Sequence, residues 1–218
     1  MFRRLWLIGL VAALVVVLAL SACTPKSVAT VNGEAVDRKQ FDARVADVKA
    51  QYASYEIEVT DETLAAIRQD VLEQMIDELL LVQGAKQAGI VVSTEEVDAY
   101  YAEMASGYEN EAAFLVAAEE NGYTKASLRE EIAQYLLIAN YQEQHIEANV
   151  DLDAILVTEA EMRDLYASYA EQMTDIPPYD EVAVYLEQEL RDQKIADLGI
   201  IEALVAELRA AATIEKSL

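Results

Sequence analysis

The sequence has few of the residues on which small cross-linked or metal-bound domains depend. Its 218 residues include one cysteine and one histidine. An internal disulfide is therefore excluded, and so is a structural zinc site, which needs clustered Cys and His ligands. Three prolines and seven glycines are also too few for a low-complexity chain. These shortages favour helices with short connections.

Basic residues are scarce as well. Sixteen Lys and Arg stand against 40 Asp and Glu, which gives a formal net charge of -24. Such a field repels phosphate backbones, so we expect no nucleic-acid partner. Because 54% of the side chains are hydrophobic, the chain can bury a substantial core, and disorder as its main state is excluded. We expect the acidic residues to form a solvated surface first and a partner-selecting field second.

The first 22 residues are interpreted as an export signal. Two arginines at positions 3 and 4 precede an apolar run over residues 5–20, which is short for a spanning helix but typical of a secretory h-region. The following Leu20-Ser21-Ala22-Cys23 resembles a bacterial lipobox. The resemblance implies cleavage before Cys23 and a diacylglyceryl thioether on its sulfur. The alternative is an uncleaved signal anchor, which the short apolar run disfavours.

The chain is accordingly predicted to have four parts. Residues 1–22 are the lipoprotein signal peptide, 23–27 a lipidated tether, 28–176 a helical domain, and 177–218 a C-terminal helix and strand that complete the same domain. Processing would leave 196 residues with a formal charge of -26. Two acyl chains would anchor this product stably, whereas a single chain binds membranes reversibly.

The processed part predicts a mainly α fold with a small N-terminal β-hairpin. Asn32-Gly33 separates two short apolar segments, and this pair tolerates the positive φ angles of a type I′ turn. Asp37 predicts the N-cap of a first helix, and Thr60 opens a long second helix that ends at Gly89. Gly84 inside that helix costs about 1 kcal/mol relative to Ala, which indicates the close approach of another backbone.

Later boundaries are indicated by capping-box spacing and by turn residues. They are Ser93 with Glu96, Asn121-Gly122, Thr158 with Glu161, and Pro177-Pro178. After the proline pair, a last long helix is predicted from about Tyr179 to Ala211.

The sequence contains no recognisable catalytic or metal-binding pattern. The single histidine, His145, lies near a predicted helix end, where a lone His is most often a surface residue. Asp151 and Asp153 are not followed by the glycine and further oxygen ligands of a calcium loop. We find no phosphate loop, GxSxG or HExxH motif. We therefore expect no catalytic residue, no metal and no cofactor other than the covalent lipid.

Tyrosine is the unusual residue, with twelve against three Phe and one Trp. Its ring offers a flat apolar body with a polar tip, which suits loose contact with many sequences. The candidate binding residues form two groups: Tyr100, Tyr101 and Tyr108, and Tyr166, Tyr169 and Tyr179. The alternative is that most of these rings pack half-buried at helix edges.

The order of several motifs carries a family resemblance. VATVNGE at 28–34, VLEQMIDELL at 71–80, Ala88-Gly89-Ile90 and the Ser93 helix start follow one another. This order resembles the SurA N-terminal chaperone domain, which is also found in PrsA-type lipoprotein foldases. The similarity continues through Asn121-Gly122-Tyr123 and Val157 to Tyr166, and it resumes from Tyr179 to Glu215.

One departure from that family bears on function. In those foldases a parvulin prolyl-isomerase domain lies between the helix that corresponds to Tyr166 and the closing helix. Here the segment 170–177 has eight residues, whereas a domain needs roughly 50. The resemblance therefore implies a helical chaperone module without the isomerase, whose two halves cradle unfolded chains.

These inferences predict a lipid-anchored, ATP-independent chaperone on the extracytoplasmic face of a membrane in the bacterial cell envelope. Its partners would be unfolded or partly folded secreted and envelope proteins, held in apolar grooves between helices. One alternative is a non-catalytic adaptor or structural envelope lipoprotein. The other is a surviving prolyl isomerase, which the missing segment disfavours.

Overall fold

The computed structural model describes residues 26–173 and 176–217, so the signal segment and Cys23 lie outside the described residues. The described part is mainly α, as predicted. Its eight α-helices are α1 (Arg38–Ser54), α2 (Asp61–Gln87), α3 (Thr94–Ser106), α4 (Glu111–Glu120), α5 (Lys125–Asn149), α6 (Glu159–Gln172), α7 (Tyr179–Ala196) and α8 (Ile200–Ala211). The strands are β1 (Ser27–Val31), β2 (Glu34–Asp37) and β3 (Ile214–Lys216). Within the described ranges, no helix is both long and apolar enough to cross a membrane.

The predicted hairpin is confirmed and gains a third strand. Asn32 and Gly33 have φ angles of 53° and 84°, the positive values that a type I′ turn requires. Strand β3 pairs antiparallel with β1, so the sheet order is β2-β1-β3. The turn also joins this edge to its surroundings, because the side chain of Asn32 accepts from the Thr213 amide at 2.9 Å and donates to Gln83 at 2.8 Å.

The first core lies between this sheet, α1 and α2. Its most deeply buried large side chains are Phe41, Ile76, Leu80, Val28 and Val31. Leu208, Ala212 and Ile214, from α8 and its connection to β3, pack against the same cluster. Residues from both ends of the described chain therefore share one apolar core.

A second, smaller core lies between α3, α4 and α5. It is formed by Val97, Tyr101, Phe114, Ala118, Leu128 and Ile132. The turn at Asn121-Gly122 lets α4 and α5 face each other here, since Gly122 has a φ of 82° and ends α4. The predicted break is confirmed at this turn.

The predicted helix boundaries around Ser93, Thr158 and Gly89 are also confirmed. Ser93 and Thr158 each form a capping box with the glutamate three residues later. At the end of α2, the Ile90 amide donates to the Ala85 carbonyl at 3.0 Å and the Gly89 amide donates to Lys86 at 3.2 Å. These two bonds form the Schellman motif.

The prediction that another backbone lies close to Gly84 is wrong. A side chain, and not a second backbone, lies against this position: a Cβ placed on Gly84 would be 2.9 Å from a ring carbon of Tyr141. The missing side chain thus lets α5 lie close to α2, and the Tyr141 ring fills the space that a larger residue would occupy.

The predicted helix from Tyr179 to Ala211 is divided. Helix α7 ends at Ala196, and α8 begins at Ile200 after Gly199, whose φ is 65°. A left-handed residue cannot continue an α-helix. The division lets α7 pair with α6 while α8 packs on α2 and α5.

Polar contacts join α8 and β3 to α2. The guanidinium of Arg209 donates to Asp77, and also to the Glu73 carboxylate at 2.9 Å. Glu73 also accepts from Lys216, and this hydrogen bond, followed by that from Arg209, lowers the pKa of Glu73. Helix α8 and strand β3 are thereby joined to the centre of α2.

Removal of residues 177–218 is predicted to abolish cooperative unfolding of the remainder, because the first core would lose the apolar side chains of α8 and the third strand. The measurement is thermal unfolding followed by circular dichroism. An unchanged cooperative transition in the shortened protein would show that residues 28–176 fold independently of the closing segment.

Leu204→Ala is the graded form of this test. Leu204 is 5% exposed on α8, so its truncation should lower the free energy of unfolding by about 2–5 kcal/mol. The matched control is Leu198→Ala, since Leu198 is 50% exposed and its loss should change stability by less than about 0.5 kcal/mol.

Glu161 should make the pairing of α6 with α7 depend on pH. Its carboxylate accepts from Lys194 at 2.7 Å and from the Thr158 amide at 2.7 Å. The Lys194 hydrogen bond, followed by the bonds from Thr158, lowers the pKa of Glu161 from 4.5 to about 2. A lowered folded-state pKa stabilises the fold fully above the ordinary value and loses that effect as pH falls through the lowered one.

The test compares wild type with Glu161→Gln, which keeps a capping side chain but removes the charge. The variant should unfold at lower denaturant concentration at pH 7, and the difference in unfolding free energy should shrink between pH 4.5 and about 2. A difference that is the same at pH 7 and at pH 2 would contradict this role.

Candidate functional site

The first tyrosine group lies around the second core. Tyr101 is 7% exposed; its ring packs edge-to-face on Phe114, with centroids 5.2 Å apart, and its hydroxyl donates to Glu111 at 3.1 Å. Burial, and then this hydrogen bond, raises the pKa of Tyr101. Tyr108 also packs on Phe114 but is 45% exposed, while Tyr100 is half-buried against the ring of Tyr135. The three tyrosines are close together, but their exposure differs.

The second tyrosine group lies where α6 meets α7. The rings of Tyr166 and Tyr179 pack edge-to-face with centroids 5.5 Å apart, and the Tyr166 hydroxyl donates to the Pro177 carbonyl at 2.9 Å. The Tyr169 hydroxyl donates to Glu189, and this bond raises the pKa of Tyr169. All three are half-buried. They join α6 to α7 through ring packing and hydrogen bonds.

A groove that the sequence did not indicate lies between α5, α7 and α8. Its first part is a cavity of about 300 Å³ lined by four isoleucines and an alanine, with two carboxylates. The isoleucines are Ile146, Ile195, Ile200 and Ile201, the alanine is Ala196, and the carboxylates are Asp192 and Glu202.

The groove continues along α8 toward α2. A second cavity, of about 420 Å³, shares Ile201 and Glu202 with the first and adds Leu81, Val205 and Ala206 to the apolar lining. The two cavities adjoin at Ile201 and Glu202, and we treat them together as one groove. We call it the isoleucine groove, defined by Leu81, Ile146, Ile195, Ile200, Ile201 and Val205.

The local sequence of α8 explains why this helix serves both the core and the groove. Residues four apart lie on one side of a helix. Leu204 and Leu208 form one such pair; Leu204 is buried, and Leu208 packs on the first core. Ile201 and Val205 form the neighbouring pair and line the groove. The apolar stripe is thus wider than its contact with the core.

The far end of the groove is electrostatically neutralised. Asp77 and Arg209 line it and form an ion pair with each other. Asp192 lies beside the isoleucines of the first cavity, and Glu202 lies where the two cavities meet. An extended apolar segment in this groove would therefore meet aliphatic side chains along its length and these two carboxylates beside them.

The sequence carries one local signal beside the groove, although it does not indicate the groove itself. Gly199 followed by Ile200-Ile201 combines a helix break with two large aliphatic residues. Periodicity alone does not separate buried positions from partly open ones, so it does not distinguish these groove positions from core positions. The half-exposed isoleucines are explained by the division between α7 and α8.

The histidine and the aspartates considered in the sequence analysis do not form a site with one another. His145 is half-buried near the end of α5, and Asp151 precedes a short 3₁₀ turn at Leu152–Ala154. Within residues 26–173 and 176–217, no three His, Cys, Asp or Glu side chains are grouped as metal ligands.

Comparison with known proteins agrees with the resemblance. Residues 2–142 match the SurA-like N-terminal domain family. A protein named Chaperone SurA from Chromohalobacter salexigens is 29% identical over 127 residues, and one of the same name from Alcanivorax borkumensis is 27% identical over 128. Each alignment covers 57% of this chain and 28% of the relative, so the chain matches little more than a quarter of the length of either. Because the family match spans well over half of the residues, the chain belongs to the SurA-like N-terminal domain family.

Proposed function

We propose that this chain is an ATP-independent chaperone module that holds apolar segments of unfolded or partly folded secreted and envelope proteins. The observation that carries the proposal is the isoleucine groove, two adjoining open cavities lined by aliphatic side chains between α5, α7 and α8. That the chain belongs to a family with relatives named as chaperones also supports the proposal. The function requires no catalysis.

The mechanism is binding by mass action. Each large apolar side chain that leaves water contributes about 1.5–3 kcal/mol, and association and ordering oppose much of this gain. A segment that places two or three such side chains in the groove is therefore held weakly and released readily. Binding still lowers the free concentration of aggregation-prone chains, because it removes them from the unbound pool.

The two tyrosine groups are proposed as secondary contacts for client proteins, the unfolded or partly folded chains that the module holds. Tyr108 offers the most exposed ring among the six candidates, with 45% of its surface open. Tyr166 and Tyr179 pack on each other and are half-buried, so part of each side chain remains open to solvent. Tyr101 would act indirectly in this proposal, since its packing on Phe114 supports the position of Tyr108.

We further propose that Cys23 carries the lipid anchor and that the module works on the extracytoplasmic face of a membrane in the bacterial envelope. The lipobox-like residues and the preceding apolar run support this. Strand β1 begins at Ser27, four residues after Cys23. Four extended residues span at most about 14 Å, so the anchor would hold the sheet close to the bilayer surface.

Ile201→Gln is the variant that tests the chaperone proposal, because Ile201 lines both cavities. The protein from residue 24 onward should suppress aggregation of several unrelated unfolded proteins at near-stoichiometric ratios without ATP. Ile201→Gln should reduce this protection several-fold. The matched control is Val184→Gln on α7, since Val184 is 76% exposed and lies outside the groove lining.

Light scattering of the aggregating clients measures the effect, and circular dichroism verifies that both variants are folded. Equal loss of protection in the two variants would exclude the groove as the binding site. No protection of any client, with tight binding to a single envelope protein, would favour an adaptor lipoprotein instead.

The anchor has its own prediction. Cys23→Ala should abolish acylation and release the protein from the membrane fraction, because the sulfur that carries the lipid would be absent. Mass spectrometry of the mature N-terminus, purified from native membranes, measures this directly. Recovery of the wild-type protein with an unmodified Cys23 thiol would refute the lipid anchor.

A further inference from the structure

We propose that the isoleucine groove selects apolar segments that carry a lysine or arginine, and that Asp192 and Glu202 make this selection. The inference rests on the proposed function and specifies its client class. The selection is made by direct contact with two carboxylates at the groove edge, and not by the overall negative charge of the chain.

The two carboxylates are placed to meet a bound segment. Glu202 lies on α8 and lines both cavities, and Asp192 lies on α7 and lines the first cavity. Both side chains belong to exposed residues. Asp192 accepts a hydrogen bond from the Gln188 amide at 2.8 Å, a neutral partner that leaves its charge uncompensated.

The cations of α7 and α8 are engaged with other groups. Arg191 donates to the Leu152 carbonyl at 3.3 Å, and Lys194 donates to the Leu156 carbonyl at 2.6 Å and pairs with Glu161. Arg209 pairs with Glu73 and Asp77 on α2. In the part of the chain that the structure describes, neither Asp192 nor Glu202 has an ion-pair partner.

Carboxylates beside an aliphatic surface are complementary to lysine and arginine side chains. Lysine and arginine have apolar stems that lie along hydrophobic surface while the charged head remains in water. Their stems can pack on Ile200 and Ile201 while the head group meets Glu202. An aspartate or glutamate at the same point of a client would face a like charge, which disfavours it.

Local selection can be separated from long-range attraction. Overall charge acts through solvent and is screened over about 8 Å at physiological ionic strength. Removing any one of the 40 acidic residues changes that field by a similar small amount. Removing Glu202 should have a specific effect, since it contacts the groove itself.

The experiment uses three fluorescein-labelled peptides that share one leucine- and phenylalanine-rich core and differ only in flanking Lys, Gln or Glu. Fluorescence anisotropy gives the affinity of each for the protein from residue 24 onward. We expect the Lys peptide to bind roughly two- to tenfold more tightly than the Glu peptide, as two exposed ion pairs allow. The Gln peptide should lie between them.

The Asp192→Asn/Glu202→Gln double variant should bring the three affinities together while the Gln peptide binds as before. The matched control is Glu207→Gln, since Glu207 is an exposed glutamate on the same helix, α8, outside the groove lining. It removes one charge and should leave the ratio of Lys-peptide to Glu-peptide affinity within the measurement error. Circular dichroism verifies the fold of each variant.

Three outcomes would overturn the inference. Equal binding of all three peptides to wild type would remove the charge selection and leave the groove as a purely apolar site. A fall in the affinity ratio as large in Glu207→Gln as in the Asp192→Asn/Glu202→Gln double variant would assign the selection to net charge. Failure of every peptide to bind would overturn the inference together with the proposed client groove.

Discussion

Covering helix α2 is the constraint on which the rest of this structure depends. The helix is buried at positions around much of its circumference, from Ile67 to Ala85, and no single neighbour can shield them all. Helix α1 and the sheet cover part of it, α5 covers another part, and α8 returns from far along the chain to cover a third. Of the other helices, α3 and α4 pack on α5, and α7 packs on α6 and α8.

Helix α8 therefore has two roles, one in the core and one in the groove. Leu204 is buried, Leu208 packs on the first core, and Arg209 brings a guanidinium to Glu73 and Asp77 on α2. The next side of the same helix remains partly open and lines the groove. A candidate binding surface thus lies directly beside the contact between α8 and α2. We therefore expect substitutions on one side of α8 to affect both stability and binding.

Features set by adjacent residues could be predicted from the sequence. The Asn32-Gly33 turn and the capping boxes at Ser93 and Thr158 each depend on residues within a few positions of one another. The tyrosine group at Tyr166 could also be anticipated. The groove could not, because it needs α5, α7 and α8 together, and the division at Gly199 depends on which partner each half of the segment finds. The burial of Tyr101 is likewise decided by packing on Phe114, which spacing does not reveal.

The position of β3 has a consequence for the order in which the molecule forms. Asn32 and Thr213, which are hydrogen-bonded beside the β1–β3 pair, are 181 positions apart in the chain. Bringing such distant segments together carries a large loop-closure entropy, and folding slows as contacts become less local. The helices can associate earlier through nearer contacts. Until residues 214–216 pair with it, β1 has one unpaired edge, which can pair with another chain and so promotes aggregation.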